Sequence, residues 1–256
     1  MRLWDREGVK VLSRTPKSPA HHAGREHHRN LQGGGARAGV FGISDGLLTN
    51  VSLILGVAGA GPSASIVRLA GLAGLVAGAF SMAAGEYVSM SAQKELLERE
   101  LDIERRELER HPEAEKKELA ATFARRGLDD ADAYRMAEAV MRDPEIALDV
   151  HAREELGFHP GQTGNPWQAA ISSFVSFGVG AIIPLVPWFF TSGAAAVIAS
   201  IILGAVSALA IGWGVAIFTD RSRIYSAVRQ LLIAGVAAAV TFGVGTLVGV
   251  GVHGGV

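Results

Sequence analysis

Apolar residues fall in five long runs, and charged residues are almost absent from them. The runs cover about 38–60, 65–90, 167–190, 194–218 and 226–252. Runs of about 18 or more apolar residues with few charges are long enough to cross a bilayer as helices. The second run does not end where its hydrophobicity does. No Gly or Pro interrupts the chain from Tyr87 to before His111, so GAFSMAAGEYVSM leads directly into the charged segment SAQKELLERELDIERRELERH. The pattern predicts an all-α membrane protein: five transmembrane helices with a helical insert between spans two and three.

The insert, residues 91–165, reads as four helical pieces. The first continues span two and stops at His111-Pro112. PEAEKKELAATFARRG follows, with Pro at its start and Gly127 at its end. Asp129 or Asp130 can cap a third helix, DADAYRMAEAVMRD, and Pro144 opens a fourth that ends at Gly157. Leu119, Phe123, Tyr134, Met136, Ala137, Val140, Met141, Ile146 and Leu148 are the expected core of this small module. A core of that size suggests help from a partner copy or a metal ion.

Charge gives the topology. Residues 1–37 hold eight Lys/Arg against three Asp/Glu, whereas residues 91–165 hold twelve against nineteen. Placing the basic tail, the insert and Arg221, Arg223 and Arg229 on one side leaves only Arg68 in the loops of the other. The positive-inside rule then sets the N-terminus and the insert in the cytoplasm and the C-terminus outside. Residues 1–37 contain no apolar stretch of the signal-peptide kind. His21, His22, His27 and His28 are metal-ligand types, but the segment reads as a disordered, basic, cytoplasmic tail. The expected organisation is therefore that tail (1–37), spans one and two (38–90), an acidic helical domain (91–165) and spans three to five (166–252).

Composition narrows the chemistry. The chain has no cysteine, which excludes disulfides and thiolate metal sites. An insert with a net charge of −7 is a poor ligand for nucleic acid and a plausible one for cations. Walker-type phosphate loops are absent, as is HExxH. Nothing in the sequence favours an enzyme, and no prosthetic group is expected.

The residues able to handle ions lie in two regions. Asp45 falls inside span one among Ser44, Thr49, Asn50 and Ser52. An acid within a span costs about 2.5–3.5 kcal/mol at the helix centre and marks a site unless it snorkels to the interface. Met82 and Glu86 in span two are four apart and share a helix face; a thioether beside a carboxylate suits a transition metal. Within the insert, Glu104 and Glu107, Glu115 and Glu118, and His151 and Glu155 are spaced three or four residues apart. Each pair can present two ligand atoms to one ion. The same spacing, interspersed with Arg99, Arg105 and Arg106, also describes a solvated helix face. At 1.5 Å per residue Met82 and Glu104 are roughly 33 Å apart along the helix, so one ion cannot touch both.

GISDGLLTNVSLILGVAGA, AGAFSMAAGEYVSMSAQ, the REELGF near the end of the insert and GAIIPLVPWFF together resemble the vacuolar iron transporter family, over roughly residues 38–252. The resemblance implies a dimeric five-span transporter moving Fe²⁺, and often Mn²⁺ or other divalent ions, out of the cytosol against protons. It implies an ion path through Asp45 and Met82, and an insert that binds metal through Glu104, Glu107, Glu115, Glu118 and Glu155. Some members place adjacent methionines where this chain has His151 and Ala152, and some carry an acid where it has Gly74; Glu86 is the expected substitute for the latter. The expected location is the cell membrane, the expected partners are divalent metal ions, protons, lipid and a second copy, and a divalent cation is substrate and regulator. A membrane-anchored metal sensor or scaffold without transport, and a transporter whose insert serves only to dimerise it, are the alternatives.

Overall fold

The computed structural model describes residues 34–157, 164–219 and 221–253. The basic tail before Gly34 with its four histidines, and residues 158–163 at the end of the insert, lie outside the described residues. Among the described residues all regular structure is helical. Helix α1 spans Gly34–Gly59 and α2 spans Ala64–Arg110; α3 (Pro112–Arg125), α4 (Asp130–Val140) and α5 (Pro144–Glu154) form the insert. The chain then returns through α6 (Pro166–Ile182), a 3₁₀ turn (Ile183–Leu185), the short α7 (Pro187–Phe190), α8 (Gly193–Thr219) and α9 (Arg223–His253). Five of these stretches are long and apolar enough to cross a membrane, as expected.

Helix α2 is one unbroken element of 47 residues. At 1.5 Å per residue it is about 70 Å long, more than twice the ~30 Å of a bilayer's hydrocarbon core. Where it leaves the apolar bundle, Tyr87 rests against Trp167 at the start of α6, with ring centroids 4.8 Å apart. Such aromatic pairs are typical of a membrane–water boundary.

The bundle closes through glycines, because between apolar helices close backbone approach is the main source of packing energy. A Cβ on Gly46 would overlap the Phe177 backbone, and one on Gly180 would overlap that of Ile43, so α1 and α6 touch backbone to backbone. Glycines on α2 and α9 serve the same end: Gly74 faces Leu53 and Asn50, Gly78 faces Phe177, and Gly245 faces the backbone of Gly56 on α1. Gly85 of α2 has nothing packed on it.

The two prolines of span three break it into α6, the 3₁₀ turn and α7. Pairing of the i→i+3 kind would require an N–H at residues 184 and 187 for the carbonyls of Ala181 and Pro184, and proline has none. Side chains replace both donors. Asn50 Nδ2 on α1 donates to the Ala181 carbonyl at 2.5 Å. The Ser200 hydroxyl on α8 donates to the Pro184 carbonyl at 2.7 Å, and itself accepts from Trp188 Nε1 at 3.0 Å. Freed backbone carbonyls in a span are tolerated when protein re-satisfies them, which is what Asn50 and Ser200 do.

The insert is set by its caps. Pro112 and Pro144 occupy first-turn positions of α3 and α5, Asp129 accepts from Asp132 N–H to cap α4, and Asp143 accepts from Glu145 and Ile146 N–H to cap α5. Gly127, at φ 104°, lets the chain turn from α3 toward α4. The core differs from the expected one. Leu119, Phe123, Ala137 and Leu148 are buried, but Tyr134, Met136 and Ile146 are 42–52% exposed. The small side chains Ala120, Ala133, Ala147 and Ala152 take the interior instead. Short helices crossing closely favour alanine at the contact, and the larger side chains are displaced to the rim.

Two glycine substitutions separate close packing from helix propensity. Gly46→Leu or Gly180→Leu should destabilise the bundle by at least about 1–3 kcal/mol through overpacking. Gly214→Ala and Gly235→Ala, where an added Cβ meets open space, should be neutral or stabilising by up to about 1 kcal/mol. Thermal unfolding of the detergent-solubilised protein distinguishes the two classes.

Candidate metal centre and ion path

Four side chains from three helices converge inside the insert. Glu104 comes from the extension of α2, Glu115 from the first turn of α3, and His151 and Glu155 from the end of α5. One ligand atom from each lies within 4.8 Å of the others. His151 is fully buried, and its Nδ1 stands 3.1 Å from Glu104 Oε1, 3.1 Å from Glu155 Oε1 and 3.7 Å from Glu115 Oε2. The packing that allows this is local: Pro112 turns α3 directly off the end of α2, and α5 lies against α2. An ion pair from Arg126 to Glu154 ties the end of α3 to α5.

Burial and like charge raise the proton affinity of the cluster. The Glu115 carboxyl is pushed above the usual carboxylate range by burial, then by Glu104, against an opposing pull from His151. Glu155 is pushed up in the same way by burial and then by Glu104. Burial disfavours charge on His151, but the adjacent carboxylates of Glu104 and Glu155 outweigh it, so its imidazole holds a proton above its ordinary range. Glu104 Oε1 and His151 Nε2 are buried without a hydrogen bond. Crowded carboxylates of this kind need protons or a cation between them. Three oxygens and a nitrogen from carboxylate and imidazole form a donor set for first-row divalent ions such as Fe²⁺, Mn²⁺, Co²⁺ or Zn²⁺.

The other two carboxylates expected as ligands, Glu107 and Glu118, stand apart from the four. Three residues along a helix fall about 60° short of a full turn, so only one member of each Glu pair points fully inward. Glu107 Oε2 bonds to His111 Nδ1 at 2.8 Å on the exposed side. Glu118 stays outside the group of four but is near enough to raise both Glu115 and Glu155 electrostatically.

In the apolar bundle, Arg37, Phe41, Asp45 and Thr49 recur every four residues as the exposed stripe of α1. Asp45 is therefore not buried within this chain. Met82 is partly buried against Ala79 of its own helix and Phe177 and Ala181 of α6. Glu86, one turn further, has a side chain 18% exposed, and Arg37 Nη2 lies 3.8 Å from its Oε2. Of the other polar residues in span one, Asn50 serves the Ala181 carbonyl and Ser44 accepts from Gln230 Nε2 at 2.5 Å.

Sequence reasoning missed Arg37 as the partner of Glu86 and Asn50 as a backbone donor. The four-residue recurrence from Arg37 to Thr49 was the available signal for the first; nothing in the sequence pointed to the second.

Comparison with known proteins fits this arrangement. The chain is 34% identical over 205 residues to vacuolar iron transporter 1 of Eucalyptus grandis, covering 80% of this chain and 82% of that one. It is 36% identical over 229 residues to a vacuolar iron transporter of Acanthamoeba castellanii, covering 87% and 82%. A third relative, vacuolar iron transporter 1 of Oryza sativa subsp. japonica, is 30% identical over 240 residues, covering 93% and 95%. Residues 36–246 match the VIT family model, and this chain is a member of that family.

Proposed function

We propose that this protein is a divalent-metal transporter that carries Fe²⁺, and other first-row divalent ions, out of the cytosol in exchange for protons. The observation that carries the reading is the placement of two ion-handling regions on one helix. Met82 and Glu86 lie on the apolar part of α2, and Glu104 lies on its extension within the group of Glu104, Glu115, His151 and Glu155. The names of the relatives support iron as cargo.

In this reading the insert gathers metal at the membrane surface, and Asp45 and Met82, with Glu86 at the mouth, pass it through the bilayer. Asp45 on an uncovered face of a transmembrane helix favours a second copy across it, because an acid facing lipid is costly. The protein then works as a homodimer with its path between α1 and α2 of the two copies. The insert and N-terminus face the cytoplasm, and the cell membrane is the proposed location. The chemistry is translocation, not catalysis: carboxylate, thioether and imidazole exchange one ion between them, and the protons released from the acids move the opposite way.

Two measurements test this. In proteoliposomes with an internal pH dye, anaerobic Fe²⁺ uptake by the unmutated chain should move protons in the opposite direction. Asp45→Ala and Met82→Ala should each cut the uptake at least about tenfold, a barrier increase of about 1.4 kcal/mol or more. Metal binding with no flux in the unmutated chain would favour a sensor instead.

The insert makes a separate prediction about pH. Protons compete with metal on Glu115, Glu155 and His151, all of which hold them further up the pH scale than usual. Affinity for Mn²⁺ should therefore climb as pH rises past the ordinary carboxylate range and continue climbing above 6.5, the ordinary value for histidine. His151→Gln should flatten the upper part of the rise, and Glu104→Gln should weaken binding at all pH values. Calorimetry on the full chain in detergent reads both; a profile already flat above pH 6.5 in the unmutated protein would count against His151 as a ligand.

A further inference from the structure

The Arg37–Glu86 contact has an unusual form for an ion pair. Glu86 Oε2 is buried and makes no hydrogen bond, yet the Arg37 guanidinium stops 3.8 Å away and is itself 57% exposed. A structural Arg–carboxylate pair normally closes to about 2.7–2.9 Å and is often bidentate. Here one carboxylate oxygen is buried and its counter-ion is loose.

Its place in the fold gives this geometry a use. Ala38, next to Arg37, packs with Met90 and with Ala169 near the start of α6, so the pair lies where α1 and α2 enter the bundle from the insert side. Glu86 is one turn of α2, about 6 Å, from Met82, and Arg37 is two turns of α1, about 12 Å, from Asp45 on the same exposed stripe. An ion moving from the insert toward Asp45 and Met82 meets this pair first.

We propose that Arg37 and Glu86 form a cation-exchange latch at the mouth of the ion path, in which the guanidinium occupies the carboxylate until an arriving divalent cation takes its place. The inference rests on the reading that ions pass between α1 and α2. A dication outcompetes a loosely held guanidinium for a buried carboxylate because it brings twice the charge and direct coordination. Displaced Arg37, whose side chain is more than half exposed within its own chain, swings outward, clearing the stripe that leads to Asp45. With no dication present, Arg37 returns and closes the mouth to singly charged ions, which cannot displace it as readily. The latch therefore contributes selectivity by charge before the ligands of the path act on ion type.

The test is a double-mutant cycle on Fe²⁺ uptake into proteoliposomes, using Arg37→Gln, Glu86→Gln and both together, with Arg37→Lys as the charge-conserving variant. Arg37→Gln should lower the KM for Fe²⁺ by about three- to fivefold, the range set by a partly exposed ion pair. Arg37→Lys should keep the KM near that of the unmutated chain. In the Glu86→Gln background, Arg37→Gln should produce no fall in KM, because the carboxylate for which the two cations compete is gone. An equal fall in both backgrounds would reduce Arg37 to a surface charge that repels cations, and the latch would be wrong. Loss of flux at saturating Fe²⁺ in Arg37→Gln, restored in Arg37→Lys, would mean a structural tie and would overturn it as well. If the unmutated chain moves no Fe²⁺, the transport reading fails separately. Equilibrium ⁵⁴Mn²⁺ binding to the same proteins then reads the competition, with the insert's contribution common to all, and the same pattern of affinities decides the latch.

Discussion

Hydrocarbon offers no hydrogen-bond partner, so each polar group in the apolar bundle must be matched from within the protein. Much of the packing follows from this. The carbonyls that Pro184 and Pro187 leave without N–H donors draw Asn50 from α1 and Ser200 from α8 onto α6 and its 3₁₀ turn. Those two bonds help fix how α1, α6 and α8 sit together, and the glycine contacts between α1 and α6 fix how close they come. A break in one helix is thereby converted into cross-links between three.

The same rule applied to charge separates the molecule into its working parts. Asp45 and Glu86 are the acids of the apolar region, and neither has a hydrogen-bonded basic partner within the described residues. In the insert the rule takes another form. Carboxylates that would be well solvated singly are pressed against one buried imidazole, and the strain appears as proton affinity. In both regions the acids left without a hydrogen-bonded basic partner or crowded together are groups that favour a cation beside them.

Much of this architecture can be read from the chain because hydrophobic run length, proline and capping residues act locally. The five spans, the unbroken passage from Tyr87 to Arg110, the helix starts at Pro112 and Pro144 and the Asp129 cap all depend on neighbours in sequence. The cores and the partners do not. Spacing could pair Glu104 with Glu107 but could not show that Glu104 turns inward while Glu107 bonds His111, since that depends on where α5 lands. Tyr134, Met136 and Ile146 look like core residues by hydrophobicity, but alanines fill a narrow gap that only the crossing of the helices defines. Asn50 reads as part of a polar path beside Asp45 until the proline-broken segment of α6 is placed against it.

The unbroken α2 also behaves as a mechanical arm. Its backbone ladder has no proline or glycine between Glu86 and Arg110 at which to bend. A tilt of about five degrees pivoting near Met82 would carry Glu104 sideways by roughly 3 Å at the far end of a 33 Å lever. The four ligand atoms of the insert lie within 4.8 Å of one another, so that displacement is comparable to the whole width of the cluster. A rearrangement small enough for the side chains around Met82 and Phe177 to absorb is thus amplified into one that can assemble or disperse the carboxylates on the other side of the membrane surface.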